Sequence, residues 1–256
     1  MTRNEIINLF TLMQPYRLHL PTVTSTNDYA KELLLKHDVV MVSAEHQTAG
    51  RGRNGRAWYG EQHKNIYCSF GLRHKNAPTM EDLPLFMARG AIAVLDTLRE
   101  LAPDLNIRLK YPNDVHVRER EQWCKVSGVL VEHEFLGSTC TTTVIGIGIN
   151  VEQTVFPDTI TQPCTSLRRS GCNAEVDSVL EVLQRWLSSS LMLPSRELSS
   201  RWFSELHAST PTFRIAEHDG LWRMVSLEHD GRLRVQETTT HIERIISDGD
   251  TLRYED

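Results

Sequence analysis

The sequence has few cysteines, no long apolar run and no excess of positive charge, and each shortage excludes something. Its five cysteines (Cys68, Cys124, Cys140, Cys164 and Cys172) are odd in number and scattered. There is no CxxC pair, and no cysteine–histidine set has zinc-finger spacing. A disulfide scaffold is therefore not expected, and a reducing, cytoplasmic setting fits. The longest strongly apolar stretch, near Val144, is far shorter than a membrane span, so no membrane association is expected. Met1 to Pro15 carries no apolar segment followed by a small-residue cleavage site. The 28 Lys and Arg are outnumbered by 33 Asp and Glu, a formal net charge of -5. Holding a nucleic acid needs clustered cations that displace counterions, so a role built on DNA or RNA is disfavoured. A local basic patch remains compatible with that balance.

What is present suffices for a sizeable core. The chain has 256 residues, 40% apolar and 24% charged. That length suits one large domain, or one large and one small. Ser25-Thr26-Asn27-Asp28 precedes Tyr29, Ala30, Leu33 and Leu34, which share a helical face, and Ser25 with Asp28 resembles a capping box. Val39 to Val42, Ile66 to Leu72, Ile107 to Lys110, Val126 to Glu134 and Thr141 to Val151 read as strands. Asp82 to Leu101, Val176 to Leu191 and Ser195 to His207 read as helices, with Pro84 suited to a first turn. Ser209-Thr210-Pro211 looks like a boundary. Short alternating segments follow, separated by Asp219-Gly220, Asp230-Gly231 and Asp248-Gly249, which are turn signals. A main domain over 1–208 and a small β domain over 211–256 are expected. The second is marginal in size and should dock on the first.

Four segments carry the candidate chemistry. Gly50-Arg51-Gly52-Arg53-Asn54-Gly55-Arg56-Ala57-Trp58 matches GxGxxG formally and follows a strand. A dinucleotide fold needs a helix opening at the glycines and an acidic residue about 20 positions on. Trp58-Tyr59-Gly60 and a β-like run follow instead. A mobile loop fits better: glycine admits a ligand close to the backbone, and guanidinium groups grip phosphate or carboxylate. A solvated basic loop or an RNA-contacting patch would look the same. In the strand Val144 to Val151, Ile145, Ile147, Ile149 and Val151 share one face, and Gly146, Gly148 and Asn150 share the other. With Gly128 on the neighbouring strand, these could floor a flat cleft, or they could receive a tightly packed helix. Lys110-Tyr111-Pro112-Asn113-Asp114 reads as a turn between strands. Lys125 begins a strand, either exposed or holding its ammonium over the glycine floor. The scattered histidines suggest no catalytic Ser/His/Asp set.

Five motifs occur in the order and rough spacing of the biotin–protein ligases. They are Ser25-Thr26-Asn27, Gln47-Thr48-Ala49-Gly50-Arg51-Gly52-Arg53, Lys110-Tyr111-Pro112-Asn113-Asp114, Lys125-Val126-Ser127-Gly128-Val129-Leu130-Val131-Glu132 and Gly146-Ile147-Gly148-Ile149-Asn150. The chain resembles that family over Ser25 to Val151. The resemblance implies an α+β fold: a mixed sheet flanked by helices, like the class II aminoacyl-tRNA synthetase and biotin ligase catalytic domains, with a small C-terminal SH3-like β-barrel. It implies that biotin and ATP form biotinyl-5'-AMP, and that biotin then passes to a lysine of a biotin carboxyl carrier protein. A lipoate or octanoate ligase or transferase of the same fold is the alternative.

By the same resemblance, Ser25, Thr26, Asn27, Gln47 and Arg51 would hold the biotin head group. Gly52 and Arg53 would close over the adenylate, and Gly128 would let biotin lie on the sheet. Lys125 would stand between the biotin carboxylate and the α-phosphate. Arg53, Arg56, Trp58, Asn113, Lys125 and Asn150 would serve ATP, with Mg2+ on its phosphates. Lys125, Arg53 and Asp114 would be catalytic, Asp114 orienting or deprotonating the acceptor lysine. Tyr111 departs from the tryptophan usual in the family's motif. Only 24 residues precede Ser25, too few for the winged helix of some relatives, so no DNA-binding role is expected. A homodimer is compatible with the edge strands.

Overall fold

A computed structural model describes residues 15–209 and 212–254. The proposed boundary at Ser209-Thr210-Pro211 falls largely outside the described residues. Seven strands form the main sheet: β1 (Tyr16–Leu20), β2 (Val39–Ala44), β3 (Asn65–Arg73), β4 (Ile107–Lys110), β5 (Asp114–Glu119), β6 (Gln122–Leu136) and β7 (Thr139–Asn150). Their order is β1-β2-β3-β7-β6-β5-β4, with β1 and β2 parallel and the other pairs antiparallel. The sheet is therefore mixed, as expected. Among the described residues four α-helices accompany it: α1 (Thr26–Leu34), α2 (Leu85–Leu101), α3 (Val176–Met192) and α4 (Ser195–Ser209).

The two faces of β7 have opposite fates. Ile145, Ile147 and Ile149 are buried with Ile92 and Leu95 of α2 in one continuous core. Each such side chain stabilises the fold by about 1.5–3 kcal/mol. Gly90 makes that packing close, since a Cβ there would lie 2.7 Å from Val129. On the other face Val144 packs with Ala30 and Leu34 of α1. Beyond Val144 that face carries only Gly146, Gly148 and Asn150. α1 thus covers one end of the bare face and leaves the other open.

Two local expectations need correction. α1 begins beside Ser25 as expected, but Ser25 makes no side-chain cap bond. Asp28 is drawn instead to Arg51, which offers it two charge-assisted hydrogen bonds of 2.6 Å. In the C-terminal region, β8 (Phe213–Ile215), β9 (His218–Leu227), β10 (Leu233–Glu237), β11 (Glu243–Ile246) and β12 (Leu252–Tyr254) form a five-stranded antiparallel sheet in the order β11-β10-β9-β8-β12. Asp219-Gly220 lies inside β9. The reversal occurs at Ala216-Glu217, where Glu217 takes φ 64°.

Behind the main sheet, His74 and His133 bracket Thr143. His74 Nε2 lies 2.7 Å and His133 Nδ1 2.9 Å from the same hydroxyl. Burial, with the nearby His133 adding to it, holds the His74 imidazole down at about 4. An unfolded histidine titrates near 6.5, so between about 4 and 6.5 the unfolded chain binds the extra proton. Stability is fully present above that window and falls as pH drops through it. Thermal unfolding should therefore move to lower temperature between pH 7.5 and pH 5, and His74→Gln should flatten the slope. An unchanged slope in the variant would contradict this assignment.

Candidate functional site

A cleft of about 990 Å³ opens on the bare face. Every residue singled out from the sequence lines it: Ser25, Thr26, Asn27, Gln47, Arg51, Gly52, Arg53, Arg56, Trp58, Asn113, Asp114, Lys125, Gly128 and Asn150. Five separate stretches of chain deliver them. β6 and β7 set Gly128 directly opposite Gly148, which makes the floor doubly bare.

One end of the cleft is a polar pocket at the start of α1. Gln47 Oε1 accepts from the Thr26 amide at 2.7 Å and from the Thr26 hydroxyl at 3.0 Å. Ser69 donates to Thr26 Oγ1 at 2.7 Å or to Asn27 Oδ1 at 2.6 Å. Asn27 Nδ2 donates to Glu132 at 2.7 Å. Gly146 sits beneath Asn27, where an added Cβ would come within 2.2 Å of Oδ1. Ser69 and Glu132 had no role assigned from sequence. Ser69 is the register partner of Gly146. A serine inside the largely apolar run Ile66 to Leu72 was the available signal. Arg51 is less free than expected, because its guanidinium grips Asp28 and lies 3.3 Å from Glu132. It fastens the base of the arginine loop to α1.

At the centre, Lys125 Nζ lies 2.7 Å from Asp114 Oδ1 and 5.5 Å from the Trp58 ring centroid. A Cβ on Gly128 would lie 3.2 Å from that ammonium, so the cation does stand over the glycine. Its backbone is pinned on both sides: the Lys125 amide donates to Pro163 at 2.8 Å, and the Thr165 amide donates to Lys125 at 2.9 Å. Trp58 lies across the floor, with Gly148 beneath its indole. Among the described residues the buried Trp58 Nε1 and Asn150 Oδ1 have no hydrogen-bond partner, and Asp114 Oδ1 is met only by the Lys125 ammonium. Asn150 is oriented by its other end, which donates to the Thr165 carbonyl at 2.9 Å. A donor and an acceptor are thus left for a ligand.

The far end is cationic. Arg53 donates to Asn113 Oδ1 at 3.3 Å, and Asn113 donates to the Val129 carbonyl at 2.9 Å. Lys110 and Arg253 also line the cleft. Burial holds the Lys110 ammonium below the ordinary lysine range, partly offset by Asp114. Lys110 lay inside a quoted motif without a role. Arg253 could not be found from sequence, because β12 reaches the cleft only through tertiary docking. Among the described residues no group of three or more His, Cys, Asp or Glu could hold a metal ion.

Tyr111 secures that docking. Its hydroxyl donates to the Gly231 carbonyl at 3.0 Å, and its amide donates to the Tyr254 hydroxyl at 3.3 Å. Burial pushes the phenol up to about 12, so it stays a donor. Tryptophan has no hydroxyl to place there. Tyr111→Phe should lower stability by about 1 kcal/mol. Thermal unfolding would register the loss, and a melting curve identical to wild type would refute the contact's importance.

Comparison with known proteins places this arrangement among relatives. The Biotin/lipoate A/B protein ligase family matches residues 20–150. The bifunctional ligase/repressor BirA of Escherichia coli is 33% identical over 190 residues, covering 72% of this chain and 57% of that protein. The biotin–[acetyl-CoA-carboxylase] ligase of Mycobacterium tuberculosis is 38% identical over 141 residues, covering 54% of this chain and 48% of that protein. The chain thus spans about half the length of these curated relatives. The solved biotin protein ligase of Aquifex aeolicus, in complex with biotin and ATP, superposes with a TM-score of 0.72 at 27% identity, over 94% of this chain and 99% of that one. The matched span contains α1, the arginine loop, Lys125 and the glycine floor, and the chain belongs to the biotin/lipoate A/B protein ligase family.

Proposed function

We propose that the protein is a biotin–protein ligase. Biotin and ATP react to give biotinyl-5'-AMP and pyrophosphate, and biotin then passes to a lysine of a biotin carboxyl carrier protein in the cytoplasm. One observation carries this reading: Lys125 stands over a side-chain-free floor, between a polar pocket and an arginine loop, in one cleft. The polar pocket favours biotin over a lipoyl or octanoyl chain. Thr26, Asn27, Gln47 and Ser69 offer donors and acceptors that a ureido ring can match. Their mutual hydrogen bonds do not use every donor and acceptor, and a hydrocarbon chain would desolvate the remainder without pairing them, at a cost of about 1–3 kcal/mol each.

In the first step a carboxylate oxygen of biotin attacks the α-phosphorus, and the bond to the β-phosphate breaks. Two anions must meet, so fixed cations lower the barrier. Lys125 supplies one such cation between carboxylate and α-phosphate, held in place by Asp114. Arg53, Arg56, Lys110 and Arg253 face the remaining phosphates. Mg2+ fits as a companion of those phosphates, which usually bring the ion with only one or two protein carboxylates. Asp114 and Asp250 are carboxylates that line the cleft. Trp58 offers an indole face to adenine, and Asn150 Oδ1 offers an acceptor to the nucleoside.

In the second step the acceptor lysine attacks the acyl carbon and AMP leaves. Asp114 orients the amine or takes the proton that it loses on forming the amide. The glycine-bearing loop shields the mixed anhydride from water meanwhile. Incubating the protein with a carrier domain, ATP, Mg2+ and biotin should give a streptavidin-reactive carrier. Lipoate in place of biotin should give no transfer. Lipoylation without biotinylation would replace this reading with the alternative.

A further inference from the structure

The arginine loop touches the C-terminal sheet through one turn. Asp248 and Asp250 flank Gly249, and a Cβ on Gly249 would lie 1.9 Å from the Tyr111 carbonyl oxygen. No larger residue fits there, so the turn is pressed against Tyr111-Pro112 and its two carboxylates are aimed at the loop tip. Asp250 receives both ends of the Arg56 guanidinium, at 3.0 and 2.6 Å. Asn54 Nδ2 lies 3.1 Å from Asp250 Oδ2 and 3.2 Å from Asp248 Oδ2. Arg53 Nη2 stands 3.8 Å from Asp248 Oδ1. Asn54 reaches both carboxylates because it sits at φ 56°, ψ 33°, a left-handed conformation that asparagine tolerates. The backbone bond from the Gly52 amide to the Arg56 carbonyl, 2.7 Å, closes the loop on itself but does not tie it to the cleft.

We infer that Asp248 and Asp250 form a latch: positioning residues that hold the arginine loop closed over the cleft and set how long the activated acyl intermediate is retained. This rests on the proposed reaction. Asp250 itself lines the cleft, so the latch closes at the mouth of the site and not at a distant surface. Lone exposed ion pairs contribute little. This one is a bidentate arginine fork plus an amide shared by two carboxylates on an anchored turn, and such geometry gives specificity as well as strength. Burial would raise the Asp250 carboxyl, but hydrogen bonds from Arg56 and Asn54 prevail and keep it below the usual range. Asp250 is therefore charged at neutral pH.

The test uses the full chain and follows enzyme-bound biotinyl-AMP with no carrier present. Asp250→Asn should shorten its half-time by about tenfold. Free biotinyl-AMP should then label lysines of a bystander protein such as serum albumin. Asp250→Glu should recover part of the retention. Asn54→Gly keeps the loop's left-handed turn and removes the shared amide, so it should leak in the same way. The Asn54→Gly, Asp250→Asn double variant should leak no faster than the worse single variant, because both cut one connection. A merely structural role would change melting temperature and pyrophosphate exchange together without affecting retention selectively. Wild-type retention in both single variants, with exchange intact, overturns the latch. Absence of biotin-dependent exchange in the wild type overturns the reaction instead.

Discussion

Replacing Lys125 by alanine should slow biotin-dependent exchange of pyrophosphate into ATP by about a hundredfold, equivalent to roughly 3 kcal/mol of transition-state stabilisation. The expectation follows from where the ammonium is held. It stands 2.7 Å from Asp114, with its side chain 18% exposed. There it meets charge that develops as the carboxylate reaches phosphorus, in a setting where water screens poorly. The variant also leaves Asp114 without its cation, so the carboxylate repels the incoming phosphates. Affinity for biotin alone should change much less, because the head group lies in the Thr26–Gln47–Ser69 pocket. Calorimetry with biotin and an exchange assay separate the two quantities. Equal losses in both would mean that Lys125 only binds the ground state. Lys125→Arg should recover little, since a planar fork does not reproduce a compact point charge.

Gly148→Val should weaken binding of biotin by about ten- to a hundredfold, because overpacking of a filled site costs about 1–3 kcal/mol. An ideal Cβ on Gly148 lies 2.5 Å from Trp58 Cε2 and 2.6 Å from Cζ2, closer than side chains tolerate. The valine must either lift the indole or occupy the floor itself, and both remove the surface on which a flat ligand would rest. Trp58 belongs to a loop and not to the core, so the melting temperature should change little. Wild-type affinity in this variant would show that the floor is not where biotin lies. Loss of folding would show that the glycine serves packing instead.

Much of this site was legible in the sequence because its signals are local. Alternation along one strand assigned Ile145, Ile147 and Ile149 to the core and Gly146, Gly148 and Asn150 to the other face, and the isoleucines do pack in the core while the other three line the cleft. Helix and strand positions followed from apolar spacing for the same reason. Short-range reading also failed in instructive places. Ser25 and Asp28 have the spacing of a capping box, yet Asp28 is engaged by Arg51, a stronger partner 23 residues away. Asp219-Gly220 has turn composition but lies within β9, because pairing with β8 spans it, from Ile215 opposite His218 to Phe213 opposite Trp222. β1, at the edge beside β2, drew no notice, since only pairing with its neighbour distinguishes it.

The sequence alone determined which residues are bare, which are cationic and which alternate. Those are properties of composition and of backbone period. Tertiary structure decided which of them meet. It set Lys125 over Gly128, laid Trp58 across Gly148, and brought Asp250 to Arg56 from 194 positions away. No local propensity encodes such a meeting. It follows from how the C-terminal sheet docks on Tyr111, and that docking depends on shape and hydrogen bonding between surfaces far apart in the chain.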